Sequence, residues 1–171
     1  MSGPSLIRVV YGLITLSVFG FDQWTKDLIT SHMSLSSSIA IVPGLFHLTL
    51  VTNRGALFGL FHDLPDPYRG AIFTIIPGLA ILLILAFQYA TGPTDALAQV
   101  GLSLILGGAV GNLVDRLRFG YVVDFLDVFV KDHHWPAFNV ADSAICIGVS
   151  LLVLDLLRKG RARSHGAVTG A

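Results

Sequence analysis

The chain has 171 residues, of which 53% are hydrophobic and only 13% charged, and its 11 Lys/Arg balance 11 acids at a net charge of zero. A soluble domain of this size carries about 25% charged residues, so the deficit points to one membrane domain, and the neutral balance gives no global field for nucleic acid. Every acid is Asp, which excludes an HExxH zinc hydrolase, and the single Cys146 can form no internal disulfide and reads as a small buried hydrophobe.

Four apolar segments reach the roughly 20 residues that cross a hydrocarbon core as a helix. The first, about 6–29, is apolar through Phe21 and then turns polar at DQWTK. Its apolar part is too long for a cleaved signal peptide, and polar residues stand where small cleavage-site residues are expected. Asp22 and Lys26 form an i, i+4 pair of favourable orientation, and with Trp24 between them the plain reading is an interfacial anchor. The connection 30–69 holds two β-prone runs, 39–42 and 46–52, around the turn signal Pro43-Gly44. Asn53-Arg54-Gly55 then reads as a turn, and ALFGLF after it as a short interfacial helix.

The second span, about 71–89, contains Pro77, which is expected to kink it. The third, about 96–114, ends in GGAVG, small residues that let neighbouring helices approach closely. Asn112 lies one turn before Arg116 on the same helical face. Asp115-Arg116 reads either as an ion pair at the helix exit or, for Arg116, as a five-donor fork for substrate carbonyls. The connection 115–136 carries a strand-like run, 121–130, with Asp124 inside it. In the fourth span, about 140–157, Asn139 suits the N-cap and Asp142 the first turn, where a carboxylate is favoured. Residues 161–171 read as a disordered tail, and 1–160 as a single polytopic domain without internal repeats.

Arg158, Lys159, Arg161 and Arg163 follow the last span, which predicts a cytoplasmic C-terminus. Four spans then put the N-terminus on the same side and the two long connections outside. Asp22, Lys26, Asp115, Arg116, Asp124, Asn139 and Asp142 all fall at that outer face. Charge at the ends of membrane-length segments is expensive to keep without a purpose.

Asp124 and Asp142 are the candidates for chemistry. Two carboxylates brought together share one proton, as in aspartic proteases. The ionised member can then take a proton from water while the protonated member polarises the scissile carbonyl, and the pair titrates as a unit. Against this stand a capping role for Asp142 and a solvated loop role for Asp124, and spacing alone does not bring the two together. Other devices fare worse. The six histidines have no metal-ligand spacing, Ser34, Ser36, Ser37 or Ser38 has nothing to bring it to Lys26 as a dyad, and no glycine-rich phosphate loop is present. A transporter lined by Asp115, Arg116 and Asp142 would need charges through the membrane depth, yet the second span and most of the third lack them.

Five blocks stand in order along the chain: Asp22-Gln-Trp-Thr-Lys26, Asn53-Arg-Gly-Ala-Leu-Phe58, Gly107-Gly-Ala-Val-Gly-Asn-Leu-Val-Asp-Arg116, Val123-Asp-Phe125 and Phe138-Asn-Val-Ala-Asp142. Each is a weak pattern alone. Together, at one predicted membrane face, they resemble the lipoprotein signal peptidase family (signal peptidase II) over about residues 6–158, with Leu57 larger than is common at its position. The resemblance implies a mainly α membrane fold of four transmembrane helices with a small outer antiparallel β-sheet, or cradle. It implies Asp124 and Asp142 as catalytic residues. Asn53, Gly55, Asn112, Arg116, Asn139 and Ala141 would bind substrate, with Asp22, Lys26, Gly108 and Asp115 in support. The implied enzyme is a monomer in the bacterial plasma membrane, without metal or organic cofactor. It would cut diacylglyceryl-modified prolipoproteins just before the lipid-bearing cysteine. A catalytically silent lipopeptide-binding protein of the same fold is the alternative.

Overall fold

The apolar runs of the sequence become helices, and the β-prone runs become a sheet at one end of them. A computed structural model describes residues 3–55 and 66–169. The elements in chain order are α1 (Gly3–His32), β1 (Ser38–Val42), β2 (Phe46–Asn53), α2 (Asp66–Ala90), α3 (Ala96–Phe119), β3 (Val122–Val130), β4 (His133–His134) and α4 (Val140–Thr169). Each helix contains a stretch long and apolar enough to cross a membrane: Ser5–His32, Gly70–Ala90, Ala96–Phe119 and Val140–Arg161.

The helix α3 is the centre of the bundle, and α1, α2 and α4 each pack against it. Fifty-six per cent of its apolar span is buried, against at most 17% in the other three, whose remaining surface is left for hydrocarbon. Leu79, Leu82 and Leu83 of α2 are about 60% exposed, a surface that water would penalise and a bilayer does not. Small residues set the close packing around α3. A Cβ on Gly107 would stand 2.7 Å from the backbone oxygen of Thr15, and one on Gly148 of α4 would stand 2.6 Å from that of Gly101. A Cβ on Gly108 would collide with the backbone oxygen of Ala141. Glycine here is required by helix–helix contact, as expected from the GGAVG run.

The sheet is four-stranded and antiparallel in the order β1-β2-β3-β4. β1 and β2 turn at Pro43-Gly44, where Gly44 has φ 78. β2 then pairs with β3 from Phe46↔Val128 to Asn53↔Val122, with a register shift between Leu48 and Val51. Ile29 at the end of α1 packs with Leu50, Val123 and Phe125, and Met33 joins this cluster. That apolar contact fixes the sheet to the helix ends and carries Asn53 and Asp124 to them.

Several boundaries differ from expectation. The helix α3 passes the predicted limit at 114 and ends at Phe119, where Gly120 (φ 76) caps it by donating to the Arg116 carbonyl at 3.0 Å. Asp115 and Arg116 are therefore helical, and the third connection begins later than 115. Pro77 lies inside a continuous α2, and α4 stays helical to Thr169 through most of the stretch read as a disordered tail. Its Arg and Ala residues are good helix formers. β4 was not foreseen, because it consists of two residues: His134 stacks on Phe129 at 4.5 Å and bonds Asp127 Oδ1 at 2.8 Å. The ALFGLF run, with Leu57, lies outside the described residues.

Candidate active site

At the sheet end of the bundle, Asp22 and Lys26 sit one turn apart on α1 and point inward. Both are buried, whereas Trp24 between them is 58% exposed. Their spacing puts them on one helical stripe and the Trp on another. The pair is thus no surface anchor. Lys26 Nζ contacts Asp22 Oδ2 at 2.9 Å, Asp115 Oδ2 at 2.8 Å and the Asn112 amide oxygen at 2.9 Å. Asp115 takes Lys26, not Arg116, as its partner, because neighbouring helical residues point about 100° apart. Its Oδ2 also accepts the Val123 N–H at 3.2 Å, which ties α3 to the start of β3.

Asp124 and Asp142 come together here, from β3 and the first turn of α4. Asn139 joins them. Its side-chain Nδ2 donates to Asp124 Oδ1 at 2.7 Å, and its Oδ1 accepts the Asp142 N–H at 2.9 Å. Asp142 Oδ2 in turn accepts the Asn139 N–H at 3.2 Å, so Asn139 and Asp142 cap α4 reciprocally. The other two carboxylate oxygens are also held. Asn53 Nδ2 donates to Asp124 Oδ2 at 3.0 Å, and Asn112 Nδ2 donates to Asp142 Oδ1 at 2.8 Å. Capping and participation in the site are therefore one arrangement. The amide nitrogens of Asn53, Asn112 and Asn139 are turned onto the two acids rather than toward open space.

Burial pushes the Asp124 carboxyl up to about 6, and the nearby negative charge of Asp142 adds to this; the Asn53 and Asn139 hydrogen bonds and the charge of Lys26 oppose it. A carboxyl in that range can exchange a proton near neutral pH. Arg116 on α3 interacts electrostatically with Asp142, Asp124 and Asp115. Its Nη1 donates to the Asn112 carbonyl at 3.3 Å, while its buried Nε has no hydrogen-bond partner. Arg116 lines a cavity of about 300 Å³ with Arg54, Phe73, Thr74 and Phe119. A buried donor left unpaired is costly, so this cavity suits a ligand that brings an acceptor oxygen.

The remaining expected site residues shape the backbone. Gly55 has φ 95 and donates its N–H to Asn53 Oδ1 at 2.9 Å, so the turn fixes the Asn53 side chain. Any Cβ there would collide with the Phe73 ring. Ala141 is fully buried and donates its N–H to Asp22 Oδ1 at 2.9 Å. It contacts Gly108 and Asp22 instead of lining open space, and Gly108 holds α3 against it. Gln23 was missed. Its Nε2 reaches Asp115 Oδ1 at 2.9 Å, Asp22 Oδ2 at 3.2 Å and the Gly111 carbonyl at 3.3 Å. The available signal was a polar amide beside Asp22 in an otherwise apolar helix. Among the described residues, no three His, Cys or Asp side chains are grouped to hold a metal ion.

A family profile described as signal peptidase (SPase) II matches residues 14–158. A lipoprotein signal peptidase of Geobacter metallireducens is 46% identical over 156 residues, 91% of this chain and 94% of that protein. One of Syntrophus aciditrophicus is 43% identical over 159 residues, 93% of this chain and 96% of its own. Two solved structures described as a bacterial membrane enzyme, both obtained by the in meso method, superpose with a TM-score of 0.74. They are 34% and 35% identical to this chain, covering 88% and 86% of it and 89% and 92% of themselves.

Proposed function

The chain belongs to the signal peptidase (SPase) II family of lipoprotein signal peptidases, which are aspartic peptidases, and from that membership we propose how it acts. It removes the signal peptide from diacylglyceryl-modified bacterial prolipoproteins, cutting just before the lipid-bearing cysteine with water activated between Asp124 and Asp142. The observation that carries this reading is the joining of the two acids through Asn139, with every carboxylate oxygen accepting an N–H.

The ionised acid takes a proton from water as the oxygen attacks the scissile carbonyl, and the protonated acid hydrogen-bonds the oxyanion that develops. Collapse of the tetrahedral intermediate expels the cysteine's amine, which takes up a proton from the pair. The acid that took the water's proton passes it to the amine, so the pair returns to one ionised and one protonated member within each turnover, and water is the nucleophile. Arg116 supplies donors to substrate carbonyls across the adjoining cavity. Asn53, Asn112 and Asn139 hold the acids, while Gly55, Gly108 and Ala141 shape the backbone that carries them. Asp22, Lys26 and Asp115 support the arrangement from behind. No metal or organic cofactor takes part.

A lipid-modified cysteine at the end of an apolar signal segment lies at the membrane surface. Asp142 lies at that level too, in the first turn of a membrane-length helix. Arg158, Lys159 and Arg161 at the other end of α4 favour cytoplasmic termini and an active site at the outer face of the plasma membrane. We read residues 1–160 as one domain acting as a monomer among membrane lipids.

The test is cleavage of a diacylglyceryl-modified prolipopeptide by purified protein in detergent with a chelator present. Wild type is compared with Asp124→Asn and Asp142→Asn. Turnover by wild type, lost in both folded variants, is the expected result. Cleavage at the wild-type rate by either variant defeats the two-acid mechanism. Binding without turnover by wild type makes the protein a silent lipopeptide binder.

A further inference from the structure

The buried ion cluster behind the two acids is not consumed by the hydrolysis. Lys26 spends its three donors on Asp22 Oδ2, Asp115 Oδ2 and Asn112 Oδ1. The same Asn112 oxygen also accepts Asn139 Nδ2 at 3.1 Å, and the opposite end of that amide donates to Asp142 Oδ1 at 2.8 Å. An amide has one accepting end and one donating end. Turned over, it would set its NH2 against the Lys26 ammonium and the Asn139 NH2, and its oxygen against the Asp142 carboxylate. Every contact would become donor against donor or acceptor against acceptor.

We propose that Lys26 is a positioning residue of the peptidase. By fixing the orientation of the Asn112 amide, it fixes the donor that holds Asp142 beside Asp124. The inference rests on the two-acid reading above. The charges facing this group are Asp22 from α1, Asp115 and Arg116 from α3, Asp124 from β3 and Asp142 from α4; β2 brings the neutral Asn53. A purely structural lysine, present only to neutralise Asp22 and Asp115, would alter stability and leave the chemistry as it was.

Purified full-length protein in detergent, with a diacylglyceryl-modified prolipopeptide as substrate, separates the two roles. Gln99 donates to the Gln88 and Thr91 carbonyls at the opposite end of α3, so Gln99→Ala loosens the bundle without touching the acids or their supporting cluster. It should lower the melting temperature and leave kcat and the pH profile unchanged. Lys26→Met should lower kcat about 10- to 100-fold, the scale for losing a group that orients a functional ligand, with KM nearly constant. Its kcat/KM profile should move its acid limb to higher pH, because a cation that favours the ionised pair is gone. On an Asn112→Ala background Lys26→Met should cost little more, since the two act as one unit.

If Lys26→Met does not fold, Lys26→Met/Asp115→Asn removes an acid along with the cation, and it is compared with Asp115→Asn in the same assays. Wild-type kcat and pH profile after loss of Lys26 overturn the inference. So does a full, additive loss on the Asn112→Ala background. A wild type that binds substrate without cleaving it overturns the peptidase reading and this inference together. A wild type that cleaves, matched by its Lys26 variant, overturns the inference alone.

Discussion

Replacing Asn139 separates the two things its side chain does. Its Oδ1 caps α4, while its Nδ2 faces Asp124 Oδ1, Asn112 Oδ1 and the Val123 carbonyl. Asn139→Ala loses a cap worth about 1 kcal/mol. It also loses a bond to a carboxylate worth about 1.5–3 kcal/mol and leaves the buried Val123 carbonyl short of a donor, at a further ~1–3 kcal/mol. The total, about 3.5–7 kcal/mol, is a large fraction of the 5–15 kcal/mol that holds an ordinary domain folded. Asn139→Asp keeps the cap, since Asp serves at that position as well as Asn. It replaces the donating NH2 with oxygen, and a third acid then stands against Asp124. Melting temperature in detergent and turnover of a lipopeptide are the two readouts. Asn139→Ala should be severely destabilised. Asn139→Asp should melt closer to wild type than Asn139→Ala does, and yet lose turnover near neutral pH. An Asn139→Asp protein that cleaves like wild type would refute the assignment of Nδ2 to Asp124.

Asp124 makes stability depend on pH. Its folded pKa of about 6 lies above the ordinary 3.8, so the native state binds this proton more tightly than the unfolded state does. The resulting stabilisation, about 3 kcal/mol, is complete below the unfolded value and is lost as pH rises through about 6. Melting between pH 4 and 7 should therefore show a fall in wild type that is flattened in Asp124→Asn; equal slopes refute it. Gly108→Ala drives a methyl into the Ala141 backbone and should cost about 1–3 kcal/mol by overpacking, with turnover falling as the start of α4 shifts. Gly12→Ala, with open space around its Cβ position, should be neutral or stabilising by up to ~1 kcal/mol, and the paired melts check both. Arg116→Lys keeps the charge but loses the planar fork, so KM for the lipopeptide should rise, and an unchanged KM removes Arg116 from substrate binding.

The helices were legible because membrane-length apolar runs are a signal of composition, and every expected span is present. The strands 39–42 and 46–52 were legible as β-prone runs around a turn signal, and 121–130 from its β-prone residues alone. Partner choice was not legible. Helical spacing puts Asp22 and Lys26 on one stripe, but which stripe of α3 they meet depends on the rotation of α1. That rotation is set by contacts such as Gly107 against Thr15 and Gly111 against Asp22 Oδ2. Hence Asp115 was matched with its sequence neighbour Arg116 instead of with Lys26, some 90 residues earlier. The meeting of Asp124 with Asp142 was equally hidden, because it depends on the β2–β3 register and on the cluster of Ile29, Leu50, Val123 and Phe125 that seats the sheet.

Under the two-acid mechanism proposed above, the placement of Lys26 one residue away from the acids follows from what an acid pair must do. A lysine in direct contact with Asp142 would favour ionisation of both carboxylates, and the proton needed to polarise the carbonyl would be lost. Four N–H donors, three from side-chain amides and one from the backbone, hold the carboxylates by geometry without adding a full charge at the contact. The lysine then contacts the amide instead of the acid, and only its charge reaches the pair from a distance. The protein keeps a cation close enough to fix Asn112, and an amide between them so that one proton can still be shared. The arrangement makes a sharp demand: replacing Asn112 by a residue that lets Lys26 reach Asp142, such as Asn112→Gly, should leave the protein able to bind lipopeptide while kcat falls. Retention of full turnover in a folded Asn112→Gly protein would show that the amide is dispensable to the pair.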